Sequence, residues 1–189
     1  MHETSLGQSL RDYLTGERIE ETSYEDCRQA MARMLVEERG YPKDQLRPKI
    51  GITFPIDGKP YCRVADLVAY DDAGRPLLVL FFTAGQPGTF DREIVAAARL
   101  IENGPAPLAA ATDSKEAVLH ETAHGTRVGQ GFDEALPRWA HLLELASRHP
   151  ALELDETQRQ REGRILYTYS EFIYASCCHT CPPKASAKG

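Results

Sequence analysis

Arg63-Val64-Ala65-Asp66-Leu67-Val68-Ala69-Tyr70, a turn at Asp71-Asp72-Ala73-Gly74, and Leu77-Leu78-Val79-Leu80-Phe81-Phe82-Thr83-Ala84-Gly85 decide how this chain is read. Two apolar runs flank a short turn of small and acidic residues, which is the pattern of a β-hairpin. Its first strand carries a single acid, Asp66. Its second strand is apolar at successive positions from Leu77 to Phe82, so neither face is left for water. Such a strand belongs in the middle of a sheet covered on both sides.

Upstream, residues 49–54 alternate apolar and polar, and Asp57-Gly58 is a strong hairpin turn signal. This predicts strands over 49–54, 61–70 and 76–83. Before them, Thr22 or Ser23 supplies an N-cap, with Glu25 or Asp26 three residues on in the manner of a capping box. Cys27, Ala30, Met31, Met34 and Leu35 recur at helical spacing, predicting a helix over 23–39 that Gly40 and Pro42 end. Downstream, Thr89 is the expected cap of a helix over 90–102, with Ile94, Ala97, Ala98 and Ile101 inward. A buried strand follows at 107–112, then a small hairpin at 118–121 and 126–129. Last come a helix over 137–149, with Trp139, Leu142, Leu143 and Ala146 on one side, and a polar helix over 155–176.

The order implies a β-α-β crossover over 76–112 and a mixed α/β sheet flanked by helices. The boundaries are an N-terminal segment at 1–22, a main domain at 23–135, C-terminal helices at 136–176 and a cysteine-rich tail at 177–189. The 189 residues are 42% hydrophobic and 26% charged, enough for one ordinary core. No run of ~18 apolar residues exists, so no membrane span is expected. Met1 to Ser5 lack the basic and apolar stretches of a secretory leader, so a cytoplasmic location is expected. A net charge of −6 is a weak footprint for gripping nucleic acid through phosphates alone, and such binding would need a local basic face.

The strand order, with its acid on the second strand, resembles the PD-(D/E)XK nuclease fold. More closely, it resembles the N-terminal nuclease domain of the restriction (R) subunit of type I restriction enzymes. The likeness rests on Arg28 and Leu35-Val36-Glu37-Glu38-Arg39-Gly40-Tyr41-Pro42, on Arg63 to Val68, on Leu77-Leu78-Val79, and on Pro107-Leu108-Ala109-Ala110-Ala111-Thr112-Asp113. It implies a restriction-endonuclease-like fold, DNA as partner, and a Mg²⁺ ion between an acid on strand two and an acid two residues before a lysine on strand three. The ion would polarise the scissile phosphate and help generate hydroxide.

Asp66 matches the first acid. Phe81 stands where the second acid belongs and Thr83 where the lysine belongs, and neither can do that work. The resemblance therefore implies a degenerate domain that binds nucleic acid or protein. The alternative is an active nuclease with a relocated centre: Asp66, Glu93 and Glu25 as Mg²⁺ ligands, and Arg92 in place of the lysine charge. Against this, Asp66 reads as an ion-pair partner of Arg63 or Lys59, and Glu93 and Arg92 as solvated helix residues.

Cys177-Cys178-His179-Thr180-Cys181 places four soft ligands in five residues, with the Cys-x2-Cys spacing of zinc sites. Ligands this dense cannot easily surround one ion. His120, His124 or a second copy of the chain would have to complete a Zn²⁺ site, the last making a homodimer. The competing reading is a reactive tail without a ligand. Cys27 and Cys62 read as buried core thiols. His120-Glu121-Thr122-Ala123-His124 matches the letters of a zinc-protease motif, but it falls in a strand and turn rather than the helix that motif needs. Gly85-Gln86-Pro87-Gly88 lacks the Lys-Ser/Thr of a nucleotide loop, so a restriction role implies partner subunits.

Overall fold

A computed structural model describes residues 5–83 and 85–174, apart from the side chains of Ser23 and of 170–174. Six strands form one sheet in the order β3 (Leu46–Ile56), β4 (Lys59–Tyr70), β5 (Pro76–Phe82), β6 (Leu108–Thr112), β7 (Ala117–Glu121) and β8 (Arg127–Gln130). Only β5 and β6 run parallel, joined through α2 (Asp91–Leu100). The mixed α/β fold is thus the expected one. Asp57 and Gly58 turn the β3–β4 hairpin with φ of 48° and 79°, the double left-handed conformation of a type I′ turn.

The sheet has a core on each face. On one side Val79 and Phe81 of β5 meet Ile94, Val95 and Ala98 of α2 and Leu166 of α5 (Glu156–Tyr174). On the other, Leu78, Leu80 and Phe82 meet Met31 of α1 (Ser23–Arg33), Leu35 just beyond its end, and Leu142 and Leu145 of α4 (Trp139–Arg148). β5 is therefore the covered strand its composition demands. Burying each of its large side chains contributes about 2 kcal/mol.

Thr22 caps α1, its hydroxyl accepting the Glu25 N–H at 3.1 Å. The helix widens over Met34–Glu38 and ends at Gly40, whose φ of 75° suits a residue without a Cβ.

Several expectations need correction. Residues 1–22 are not merely a polar lead-in, because β1 (Ser5–Arg11) and β2 (Arg18–Thr22) pair as a separate antiparallel hairpin. Their serines and glutamates mask the strand pattern. Thr89 does not cap α2, since it lies in a 3-10 turn over Pro87–Phe90. A short helix, α3 (Phe132–Ala135), precedes α4. Leu143 faces water at 41% exposure while Leu145 is buried, so the inward stripe of α4 runs through Leu142 and Leu145. Cys27 is exposed, and Cys62 is half-buried and disulfide-bonded, so neither is a core thiol. Cys27 follows Asp26 on the outer face of α1. Cys62 lies near the hairpin tip, opposite Thr53.

Candidate functional site

The β4–β5 ladder runs from Tyr70–Pro76 to Leu67–Leu80 and stops there. Beyond it, Phe81 and Phe82 pair with Ala111 and Thr112 of β6, while β4 continues along β3. The sheet forks at that point, and Asp66 sits in the fork. Asp66 Oδ2 accepts the Phe82 N–H at 2.7 Å, and Oδ1 accepts the Tyr24 hydroxyl at 2.6 Å. The carboxylate does for Phe82 what the missing ladder partner would have done. Burial pushes the Asp66 carboxyl above its ordinary range, against the pull of Tyr24, the Phe82 N–H, Arg63 and Arg28.

The expected ion pair between Asp66 and Arg63 or Lys59 is not the contact formed. Arg63 Nε instead bonds Glu93 Oε1 at 2.7 Å, and the guanidinium lies over the Phe81 ring, 4.8 Å from its centroid. Glu93 is 1% exposed, so it is not a solvated helix residue. It falls on the inward face of α2, and Arg63 reaches it across the end of the sheet. Burial pushes its carboxyl up and Arg63 draws it down, with burial the larger effect. Arg92, the next residue back, is exposed.

On the α1 side, Glu25 is also 1% exposed and bonded by Arg28 and Lys49. Arg28 reaches on to Asp12 at 2.5 Å. Asp12 turns the β1–β2 hairpin, accepting the Leu14 and Thr15 N–H groups at 2.9 Å and the Gln29 amide at 3.0 Å. This network ties the N-terminal hairpin to the main domain.

The three acids proposed for Mg²⁺ are therefore held apart by separate partners: Asp66 by Tyr24 and a backbone N–H, Glu93 by Arg63, Glu25 by Arg28 and Lys49. Among the described residues, no three His, Cys, Asp or Glu side chains are placed to hold one metal ion. The donor set does not fit the ion. Thr83 spends its hydroxyl on Gly85 O at 3.1 Å, and Phe81 offers only its ring to Arg63.

A cavity of about 400 Å³ opens at the C-terminal ends of β5 and β6, lined by Gln86, Gly88, Thr89, Glu116, Arg127 and Gln130 among others. Behind it, Asp91 Oδ2 takes Arg127 at 2.7 Å and His120 Nε2 at 3.2 Å. Burial lowers the His120 pKa, with Asp91 opposing. His120 and Glu121 lie on β7, while His124 is exposed in the turn that Glu121 closes by accepting the His124 and Thr126 N–H groups. The segment is strand and turn, as expected. Cys177, Cys178, His179 and Cys181 lie outside the described residues.

Sequence reasoning missed the Arg63–Glu93 pair, the Asp12–Arg28–Glu25 network and the contact of Lys49. The signal available for the first was an arginine inside a largely apolar strand, which calls for a buried acid. No local signal marks Lys49. No helix among the described residues is long and apolar enough to cross a membrane. A family model described as type I restriction enzyme R protein N terminus matches residues 23–135, more than half of the chain. No curated protein matches it.

Proposed function

The chain belongs to the family of type I restriction enzyme R protein N-terminal domains, and from that premise we propose that it is a member without cleavage activity that acts by binding, with duplex DNA as its partner. The observation that carries this reading is the engagement of Asp66, Glu93 and Glu25 in separate internal contacts. A Mg²⁺-dependent hydrolase needs carboxylate oxygens that converge on an ion and a charged group beside the attacking water. Phe81 and Thr83 supply neither. Binding needs less: a few cations on one edge of a rigid scaffold.

Arg92 is exposed on the first turn of α2, and Arg127 is 38% exposed across the cavity mouth from Gly88. These cations stand at the sheet end where a phosphate backbone would approach. The overall charge of −6 confines contact to such an edge.

The test has two arms. Supercoiled plasmid is incubated with the protein in Mg²⁺ and in Mn²⁺, and no nicking above background is expected. Cleavage that Asp66→Ala abolishes would overturn the reading in favour of an active, relocated centre. In the second arm, fluorescence anisotropy of a labelled duplex should show binding that weakens with salt, with a slope corresponding to roughly two or three phosphates. Absence of binding at low salt would remove DNA and leave a protein partner.

A further inference from the structure

Asp91 opens α2 and is claimed from two strands at once. Its Oδ2 takes Arg127 of β8 at 2.7 Å and His120 Nε2 of β7 at 3.2 Å. Asp91 Oδ1 and His120 Nδ1 are buried, and neither has a hydrogen-bond partner. One oxygen therefore serves both neighbours while the other serves none. The three side chains also differ in their access to water. His120 is 2% exposed, whereas Asp91 is 30% and Arg127 38% exposed.

The charge balance at this place turns on one proton. With His120 neutral, Asp91 and Arg127 form a balanced ion pair, and the imidazole only donates its Nε2–H. With His120 protonated, two cations share one carboxylate. The other charge acting on the ring is Glu121, whose carboxylate already accepts the His124 and Thr126 N–H groups. A buried imidazolium has no water to take the place of Asp91, so it keeps the acid. Arg127 has an alternative. Its guanidinium lies against Gly88, where a Cβ would come within 3.0 Å of it, and both residues line the cavity of about 400 Å³. Its remaining hold is Gln130 Oε1 at 3.4 Å. The cavity wall carries one acid, Glu116.

We propose that His120 is a proton-operated gate on Arg127: protonation of the ring ties Asp91 to the imidazolium and releases the guanidinium at the cavity mouth to bind a phosphate of the DNA backbone. The proposal rests on the reading of this sheet end as a DNA contact and supplies its regulation. Burial holds the ring neutral, helped by Arg127 and opposed by Asp91 and Glu121, so the change falls on the acid side of the ordinary value of 6.5. At neutral pH Arg127 is held on Asp91, and below the transition it is free.

The test has one arm without DNA and one with it. In the first, the protein is titrated from pH ~8 to ~5 while NMR follows the His120 ring and the Arg127 Nε–H. The Arg127 signal should shift with the midpoint of the His120 ring. In His120→Gln, whose amide still donates to Asp91, it should stay fixed. An Arg127 signal that ignores the His120 midpoint, or that shifts equally in His120→Gln, overturns the proposal. In the second arm, anisotropy of a labelled duplex is read over the same range. Wild-type affinity should rise at least about threefold as pH falls, with the salt slope steeper by about one phosphate. His120→Gln should keep the neutral-pH affinity throughout. Asp91→Asn, with Arg127 released at every pH, should hold the acid-pH affinity throughout, and one that binds no tighter than wild type at neutral pH also overturns the gate. A wild type that binds no duplex at any pH removes the DNA reading, while the first arm still decides the gate.

Discussion

Replacing Asp66 by alanine separates a structural role for this acid from a chemical one. Asp66 holds the Phe82 N–H at 2.7 Å and the Tyr24 hydroxyl at 2.6 Å, in a place where β4 no longer runs beside β5. Phe82 is 8% exposed, so alanine leaves its N–H with neither the carboxylate nor free access to water. Stranding a buried donor costs about 1–3 kcal/mol, and loss of the tyrosine contact adds about 1 kcal/mol. Part of this is offset, because burial already disfavours the charged Asp66 carboxyl. The net expectation is a loss of about 2 kcal/mol, with Tyr24→Phe losing less than half as much. Urea denaturation at neutral pH, followed by circular dichroism, should show the Asp66→Ala midpoint falling by about 1 M with the slope unchanged. An acid kept for chemistry behaves oppositely: substituting it commonly leaves a protein as stable or more so. An Asp66→Ala variant with an unchanged or raised midpoint would refute the splint argument.

Two further predictions concern the flanking networks. Burial pushes the Asp12 carboxyl up, but the Thr15 N–H, Arg28 and Gln29 outweigh it and lower the pKa from 3.8 to about 2. A depressed folded-state pKa stabilises above the unfolded value and is lost as pH falls from 3.8 toward 2, so Asp12 should contribute about 1.5 kcal/mol after solvent screening. Asp12→Asn should be less stable than wild type at pH 7, and the two denaturation curves should converge near pH ~2; parallel curves across that window would remove Asp12 as their cause. Arg63→Met strands Glu93, which is 1% exposed, and should cost about 3 kcal/mol. Adding Glu93→Gln should recover part of that loss in a double-mutant cycle, and additive losses would show that the pair is not coupled.

The hairpin was legible because its evidence is local. Asp57-Gly58 can adopt two positive φ values, and Leu77 to Phe82 can lie only in a strand covered on both faces. The helix over 23–39 was legible for the same reason, through its spacing and the Thr22 cap. What escaped was non-local. β1 and β2 are polar strands stabilised by a turn acid that needs an arginine sixteen residues further on. Arg63 and Glu93 come together only after a crossover helix is laid back on the sheet. In the sequence, Glu93 sits between Arg92 and Ile94 like any solvated helix residue. Lys49 is least legible of all, because no local signal marks its positive φ or its contact with Glu25.

The apolar third strand and the charged residues around it are one arrangement. With a carboxylate at position 81, the guanidinium of Arg63 would have an acid directly beneath it. With Phe81 there, it has an aromatic face at 4.8 Å, and its Nε turns to Glu93. That pairing satisfies a buried glutamate and takes it out of reach of any ion. On the opposite side of the fork, Lys49 and Arg28 do the same for Glu25. Asp66, between the two, is left to hold a backbone N–H. Placing a carboxylate at position 81 alone would therefore not build a metal centre. It would compete with Glu93 for Arg63 and leave the Glu25 side still occupied by the ammonium.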